Sequence, residues 1–231
     1  MILRDLGTWV GDSAVLPSGS TEQDFMREAY HVREGFLVYL TRRLHRSQFL
    51  PDAAKINVYF GPDKSDVEYS CCLGIASIWL KEFDFHSYFG ASEKRREEIL
   101  LQALAAAVRE VAYRQGVSRE MVDSAEDDAR SSGLYVQYAV KSLGRLHPNR
   151  KLRFDVVRSI QRGSESWFLQ VSDRAGAVLE TIPIEQETFG VIAQAKYRKS
   201  KWRNETFLLT DNRNRVQFRK STRSIVARHM Q

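Results

Sequence analysis

FDFHSYFGASEKRREEILLQALAAAVREVAYRQG, residues 83–116, is the stretch whose reading decides the fold. An aromatic lead-in is followed by about six turns of amphipathic helix. Ser92 is suited to cap the helix start by accepting from backbone amides. Glu93 falls in the first turn, where the helix dipole favours a carboxylate. Leu100, Leu104, Ala107 and Val111 follow at steps of four, three and four, and line one face. Leu101 and Val108 widen that stripe, leaving Glu97, Glu98, Arg109 and Glu110 for water. Gly116 suits a left-handed stop. Burial of four or five aliphatic side chains at about 1.5–3 kcal/mol each outweighs any propensity term, so a core helix is expected.

Working backwards, Glu68 to Leu80 (EYSCCLGIASIWL) is apolar and β-branched. It is either one long buried strand or two strands broken at Gly74. Lys55 to Phe60 (KINVYF) alternates like a strand. Before it, Ser20-Thr-Glu-Gln23 has capping-box spacing. Phe25, Ala29, Val32, Phe36 and Leu40 then recur at helical steps, which predicts a helix from Thr21 to about Arg46. Gly35 inside it costs about 1 kcal/mol relative to Ala, and marks a close helix–sheet approach or a weak point. The first 19 residues predict one edge strand or an irregular lead-in.

Working forwards, Ser118 is suited to cap another helix, with Val117 and Val122 at staple spacing. Met121, Val122, Ala125 and Ala129 face inward, and the helix ends near Gly133. Leu134 to Leu143 favours a helical continuation. After about residue 150 the period becomes two, through Leu152, Phe154 and Val156, then Trp167, Leu169 and Val171. Further strands are expected over 178–184, 189–195, 205–210 and 216–218, with turns at Asp173-Arg-Ala-Gly176 and Asp211-Asn-Arg-Asn214. From Arg223 on, a frayed basic tail is expected. Segregated runs of this kind predict an α+β fold, with central helices packed on a mostly antiparallel sheet and an all-β C-terminal meander. Residues 1–145 form an acidic α+β part and 146–231 a basic antiparallel part, packed as one continuous domain.

The chain has 231 residues and a net charge of +6, unevenly divided. Residues 1–140 hold 16 Lys/Arg against 21 Asp/Glu, a net of −5, and residues 141–231 hold 19 against 8, a net of +11. Such asymmetry implies an electrostatically complementary partner or contact between the two halves. No window approaches the roughly 18 apolar residues of a membrane span. The N-terminus carries Asp5 and Asp12 and lacks the pattern of a secretory signal. The two cysteines, Cys71 and Cys72, are adjacent and expected as a buried reduced pair, in agreement with a cytoplasmic setting.

Motifs for chemistry are sparse. His31, His45, His86, His147 and His229 are scattered without metal-ligand spacing, so no metal and no cofactor are expected. The Gly-rich phosphate loops and the nucleophile elbow have no match. No acid-x-lysine element of nuclease type occurs. Asp84 and His86 form a possible acid–base pair, but a strand-to-helix joint with aromatics buried is the better explanation. Glu126-Asp127-Asp128 is expected to be a solvated helix face. No catalytic residue is assigned and the chain is expected not to be an enzyme.

One surface element stands out: Lys196, Tyr197, Arg198, Lys199, Ser200, Lys201, Trp202 and Arg203 (KYRKSKWR). Its five cations and two aromatics suit phosphates and stacked bases. They suit an acidic protein patch equally. The plain alternative is a solvated hairpin loop.

The lead-in Phe83, Asp84, Phe85 and Tyr88, the EKRREEILLQAL helix, the segment HPNRKL (His147 to Leu152) and the strand WFLQV together resemble small uncharacterised bacterial α+β proteins. Some of these are of immunity type, from toxin–immunity systems. The resemblance covers residues 78–220 and supplies no functional residues. It implies a cytosolic, non-catalytic binding protein; with the charge asymmetry, the leading expectation is a protein that binds and neutralises a partner toxin with an acidic surface. Nucleic-acid binding by the basic C-terminal half is the alternative.

Overall fold

The computed structural model describes residues 3–43, 50–64, 67–161, 164–187 and 196–229. It is α+β, with two compact units, Met1–Tyr135 and Val136–Gln231.

The first unit pairs four strands in the order β1-β2-β4-β3: β1 (Asp5–Val10), β2 (Lys55–Phe60), β3 (Tyr69–Cys72) and β4 (Ile75–Leu80). β1, β2 and β4 run parallel, and only β3 is antiparallel. The sheet beneath the central helices is thus mixed, and the antiparallel pairing expected there is concentrated in the second unit. Parallel pairing follows from the crossovers that α1 (Glu22–Arg43) and the segment after β2 impose. The long apolar run 68–80 divides at Gly74, the second of its two predicted forms. Leu73 (φ 51°) and Gly74 (φ 79°) make the two-residue turn, both left-handed, as a type I′ hairpin requires. That turn exposes Cys71 and Cys72, which were expected to be buried.

α1 and α3 (Glu93–Arg114) pack on this sheet, α4 (Glu120–Ser131) packs against α1 and α3, and the short α2 (Phe85–Gly90) leads into α3. The predicted stripes are buried: Phe25, Ala29, Val32, Phe36 and Leu40 on α1, and Leu100, Leu104, Ala107 and Val111 on α3. They meet Leu6, Ile56, Val58 and Ile78 of the sheet. The aromatic lead-in closes the core end. Phe60, Phe83, Phe85 and Tyr88 stand around Phe25 with ring centroids 5.0–5.7 Å from it. Tyr88 donates to Glu28 (2.5 Å), whose carboxylate the Arg96 guanidinium also grips (2.8 and 3.0 Å). Burial first, and then that carboxylate, hold the Tyr88 hydroxyl well above its ordinary pKa.

Local details depart from the sequence. The α1 cap is Thr21, whose Oγ1 accepts from the Asp24 amide at 3.1 Å, one residue on from the expected Ser20 box. Ser92 occupies the α3 N-cap without a side-chain bond, and the side-chain cap in this stretch is Asp84 on α2. Arg119, not Ser118, is the α4 N-cap, although Ser118 Oγ accepts from the Glu120 amide at 3.3 Å. Gly35 marks a close approach to Leu134, whose carbonyl would lie 3.3 Å from an added Cβ, and not to the sheet. Glu126 is buried, held by Arg109 and by Arg130 (2.6 Å), so the acidic cluster is only partly a solvated face and Arg109 is not free.

The second unit begins with a strand where helix was favoured. Gly133 and Leu134 both take left-handed φ (61°), which stops α4. Val136–Ala139 then pairs with β7 as β5. After a 3-10 turn at Lys141–Leu143 come β6 (Arg145–Leu146), β7 (Arg153–Gln161), β8 (Ser164–Ser172) and β9 (Val178–Glu187), all antiparallel. A second sheet, β10 (Lys199–Arg203), β11 (Thr206–Thr210) and β12 (Val216–Ser221), is also antiparallel. The expected tail is instead helix α5 (Arg223–His229), tied down by fully buried Ile225. Phe154, Val156, Trp167 and Leu169 of the first sheet share a core with Phe207 and Leu209 of the second. The expected strand 189–195 and the predicted α1 end at Arg46 lie outside the described residues.

Candidate partner-binding surface

KYRKSKWR forms β10 and its approach, so period two governs it. Tyr197 is buried against Trp167, with ring centroids 5.2 Å apart. Trp202 turns inward: its ring meets His147, Phe154 and Phe207 at 4.9–5.4 Å, and its Nε1 donates to the Leu146 carbonyl at 2.8 Å. Ser200 is buried on the same side. Lys199, Lys201 and Arg203 take the opposite face and are exposed, as is Arg198 just before the strand. Lys196 is half-buried. The cations and the aromatics of this stretch thus belong to different sides of one sheet.

Register extends the cationic face across three strands. Lys201 pairs with Leu208, and Leu208 with Arg219 of β12. Arg203 pairs with Thr206, and Lys199 with Thr210. Directly paired residues share a face. This face of the sheet therefore carries exposed Lys199, Lys201 and Arg203 on one side and exposed Arg219 on the other, with Thr206 half-buried and Leu208 and Thr210 buried between them. Leu208 is buried but lies outside the core cluster. Lys199 Nζ reaches Asn214 at 3.3 Å. Arg198, Lys201, Arg203 and Arg219 have no ion-pair partner among the described residues. Nearby carboxylates are engaged elsewhere: Glu205 binds Arg223 at 2.6 Å and Asp211 binds Arg215 at 2.6 Å. Burial raises the Asp211 carboxyl, but bonds from Arg215 and Arg213 outweigh it and hold the group below its usual range. Arg219 lies outside KYRKSKWR. The alternation of VQFRKS opposite TFLLT is the signal that finds it.

The other candidate chemistry is structural. Asp84 accepts from the Ser87 amide at 3.0 Å and the Ser87 hydroxyl at 2.6 Å, so its oxygens serve the α2 cap. Ser87 accordingly holds this carboxyl below its ordinary pKa. Among the described residues no group of three His, Cys, Asp or Glu side chains is placed to hold a metal ion. No described helix is long and apolar enough to cross a membrane. Comparison with family models, with curated proteins and with solved structures finds no match.

Proposed function

We propose that this chain is a non-catalytic binding protein that receives an acidic protein on the outer face of β10–β12. The observation that carries this reading is the row of exposed, unpaired cations, Lys201, Arg203 and Arg219, that strand register places on one face of β10–β12. Such a cationic row suits an acidic protein surface, and arginine is favoured at protein interfaces. The cations steer an acidic partner and speed its docking. In the immunity-type reading the partner is a toxin that this surface covers, inside the cytoplasm. The test is affinity capture from the native host with the wild-type chain and with a K199E/K201E/R203E/R219E variant. A stoichiometric protein held by the first and lost by the second is expected. Recovery of no stoichiometric protein, or equal recovery by both chains, removes the proposal. Co-expression with the captured protein then tests the toxin reading, which requires that growth arrest by that protein be relieved.

Nucleic acid is the second reading. The same cations suit phosphates, but the inward-facing Tyr197 and Trp202 take away the stacking element that favoured single strands. Duplex binding would rest on charge alone. A filter-binding titration in which affinity falls steeply with salt, and flattens in K199A/K201A/R203A, would support it.

A further inference from the structure

The HPNRKL segment has a second consequence, apart from the β10–β12 surface. In the β7–β8 hairpin Arg153 pairs with Ser172, so residues just before Arg153 and just after Ser172 meet at one sheet end. Two turns are set there. In the first, the His147 carbonyl accepts from the Arg150 amide at 2.8 Å. Asn149 Oδ1 accepts from the Lys151 amide at 3.0 Å. Arg150 sits in the left-handed region at φ 58°, an uncommon state for a non-glycine residue. The His147 ring anchors this turn. Its Nδ1 accepts from the Asn149 amide at 3.3 Å, which leaves Nε2–H to donate to Thr222 Oγ1 at 3.2 Å. In the second turn Asp173 Oδ1 accepts from the Ala177 amide at 2.9 Å and so presents Arg174.

Between the turns lies an open cavity of about 310 Å³ lined by Arg150, Lys151, Arg153, Asp173 and Arg174, with Leu146 and Leu152 as apolar wall. This is at the lower end of ligand-pocket sizes, roughly 300–1,000 Å³. Arg153 binds Asp155 at 2.6 Å. Arg150, Lys151 and Arg174 have no ion-pair partner among the described residues. Four cations thus stand against Asp155 and Asp173, leaving an excess of two positive charges. Holding three unpaired cations around one cavity costs repulsion that a bound anion would offset.

The geometry points to a binding site for a phosphomonoester: the doubly charged phosphoryl group among Arg150, Lys151 and Arg174, its carbon portion against Leu146 and Leu152. A phosphomonoester carries about −1.5 to −2 charges at neutral pH, which matches the excess. Arginine forks suit its tetrahedral oxygens. A phosphodiester, with one charge, leaves the cavity under-neutralised.

Phenyl phosphate is the probe, titrated into the full chain by calorimetry at fixed ionic strength, with dimethyl phosphate and a blunt duplex lacking terminal phosphates as comparisons. Saturable binding of phenyl phosphate, at least about ten-fold tighter than dimethyl phosphate, is expected. Arg174→Gln, Lys151→Gln and Arg150→Gly should each weaken it by about ten-fold, the usual effect of losing one charged hydrogen bond. Arg150→Gly suits the left-handed backbone, and amide spectra identify any variant that misfolds, leaving the others to decide. Lys199→Gln/Lys201→Gln should leave the affinity unchanged, which separates this site from the proposed protein surface. Equal affinity for monoester and diester, displacement by the duplex, unchanged binding in the folded turn variants, or no saturable binding would each overturn the assignment.

Discussion

The second unit has an ionic group inside its core. Glu165 is fully buried and Arg158 is 3% exposed. Glu165 accepts from Arg158 Nε and Nη2, both at 2.8 Å, and from Trp167 Nε1 at 2.6 Å. Arg158 Nη1 also donates to the Tyr138 hydroxyl at 2.6 Å. Glu165→Leu removes all three acceptor contacts and takes the bidentate carboxylate from the buried Arg158 guanidinium. The cost of breaking such a pair is about 3–5 kcal/mol. With a urea m-value near 2 kcal/mol/M, that lowers the midpoint by roughly 2 M. Urea titration followed through amide resonances of residues 136–229 measures it in this unit directly. Arg158→Met/Glu165→Leu removes both charges of the pair and should recover most of the loss, since apolar replacement of buried pairs is often neutral or better. A single substitution costing under about 1 kcal/mol, or a double variant as unstable as the single, would refute this account of the core.

Three further expectations are local. The Asp84 carboxyl, held below its usual pKa by Ser87, contributes to α2 above the ordinary aspartate range. That contribution is lost as pH falls through the depressed folded-state value, so a carbon-detected NMR titration should place its midpoint below about 3.9. Gly61→Ala should destabilise by more than about 1 kcal/mol in thermal unfolding. Its φ of +84° is unfavourable to alanine, and the new Cβ would lie 2.9 Å from both Ala14 Cβ and Phe85 Cε2. Thr21→Ala should cost about 0.5–2 kcal/mol by loss of the bond to the Asp24 amide, seen as faster hydrogen exchange in the first turn of α1.

Much of the fold was legible because burial is periodic. The stripes of α1 and α3 needed only spacing, and Phe154, Val156, Trp167 and Leu169 alternated as core strands do. What was not legible depends on partners distant in the chain. Val136–Ala139 is a strand because β7 offers an edge, although its own pattern favoured helix. The parallel order of β1, β2 and β4 is set by crossovers, which local pattern does not report. The same limit governs the surface. KYRKSKWR was visible as a basic and aromatic stretch, but only the burial of Tyr197 and Trp202 separates its two faces. Arg219 joins Lys201 through strand register, and Arg150 meets Arg174 through the β7–β8 hairpin. Neither pairing has a signature shorter than the fold.

The most direct test of the central claim is the salt dependence of partner association, measured by surface-bound kinetics on the protein captured from the native host. Cationic steering predicts an on-rate that falls as salt rises from about 50 to 200 mM, with a clearly shallower slope for K201A/R203A/R219A. An on-rate slope identical in the variant and the wild-type chain would contradict a partner-binding role for the outer face of β10–β12.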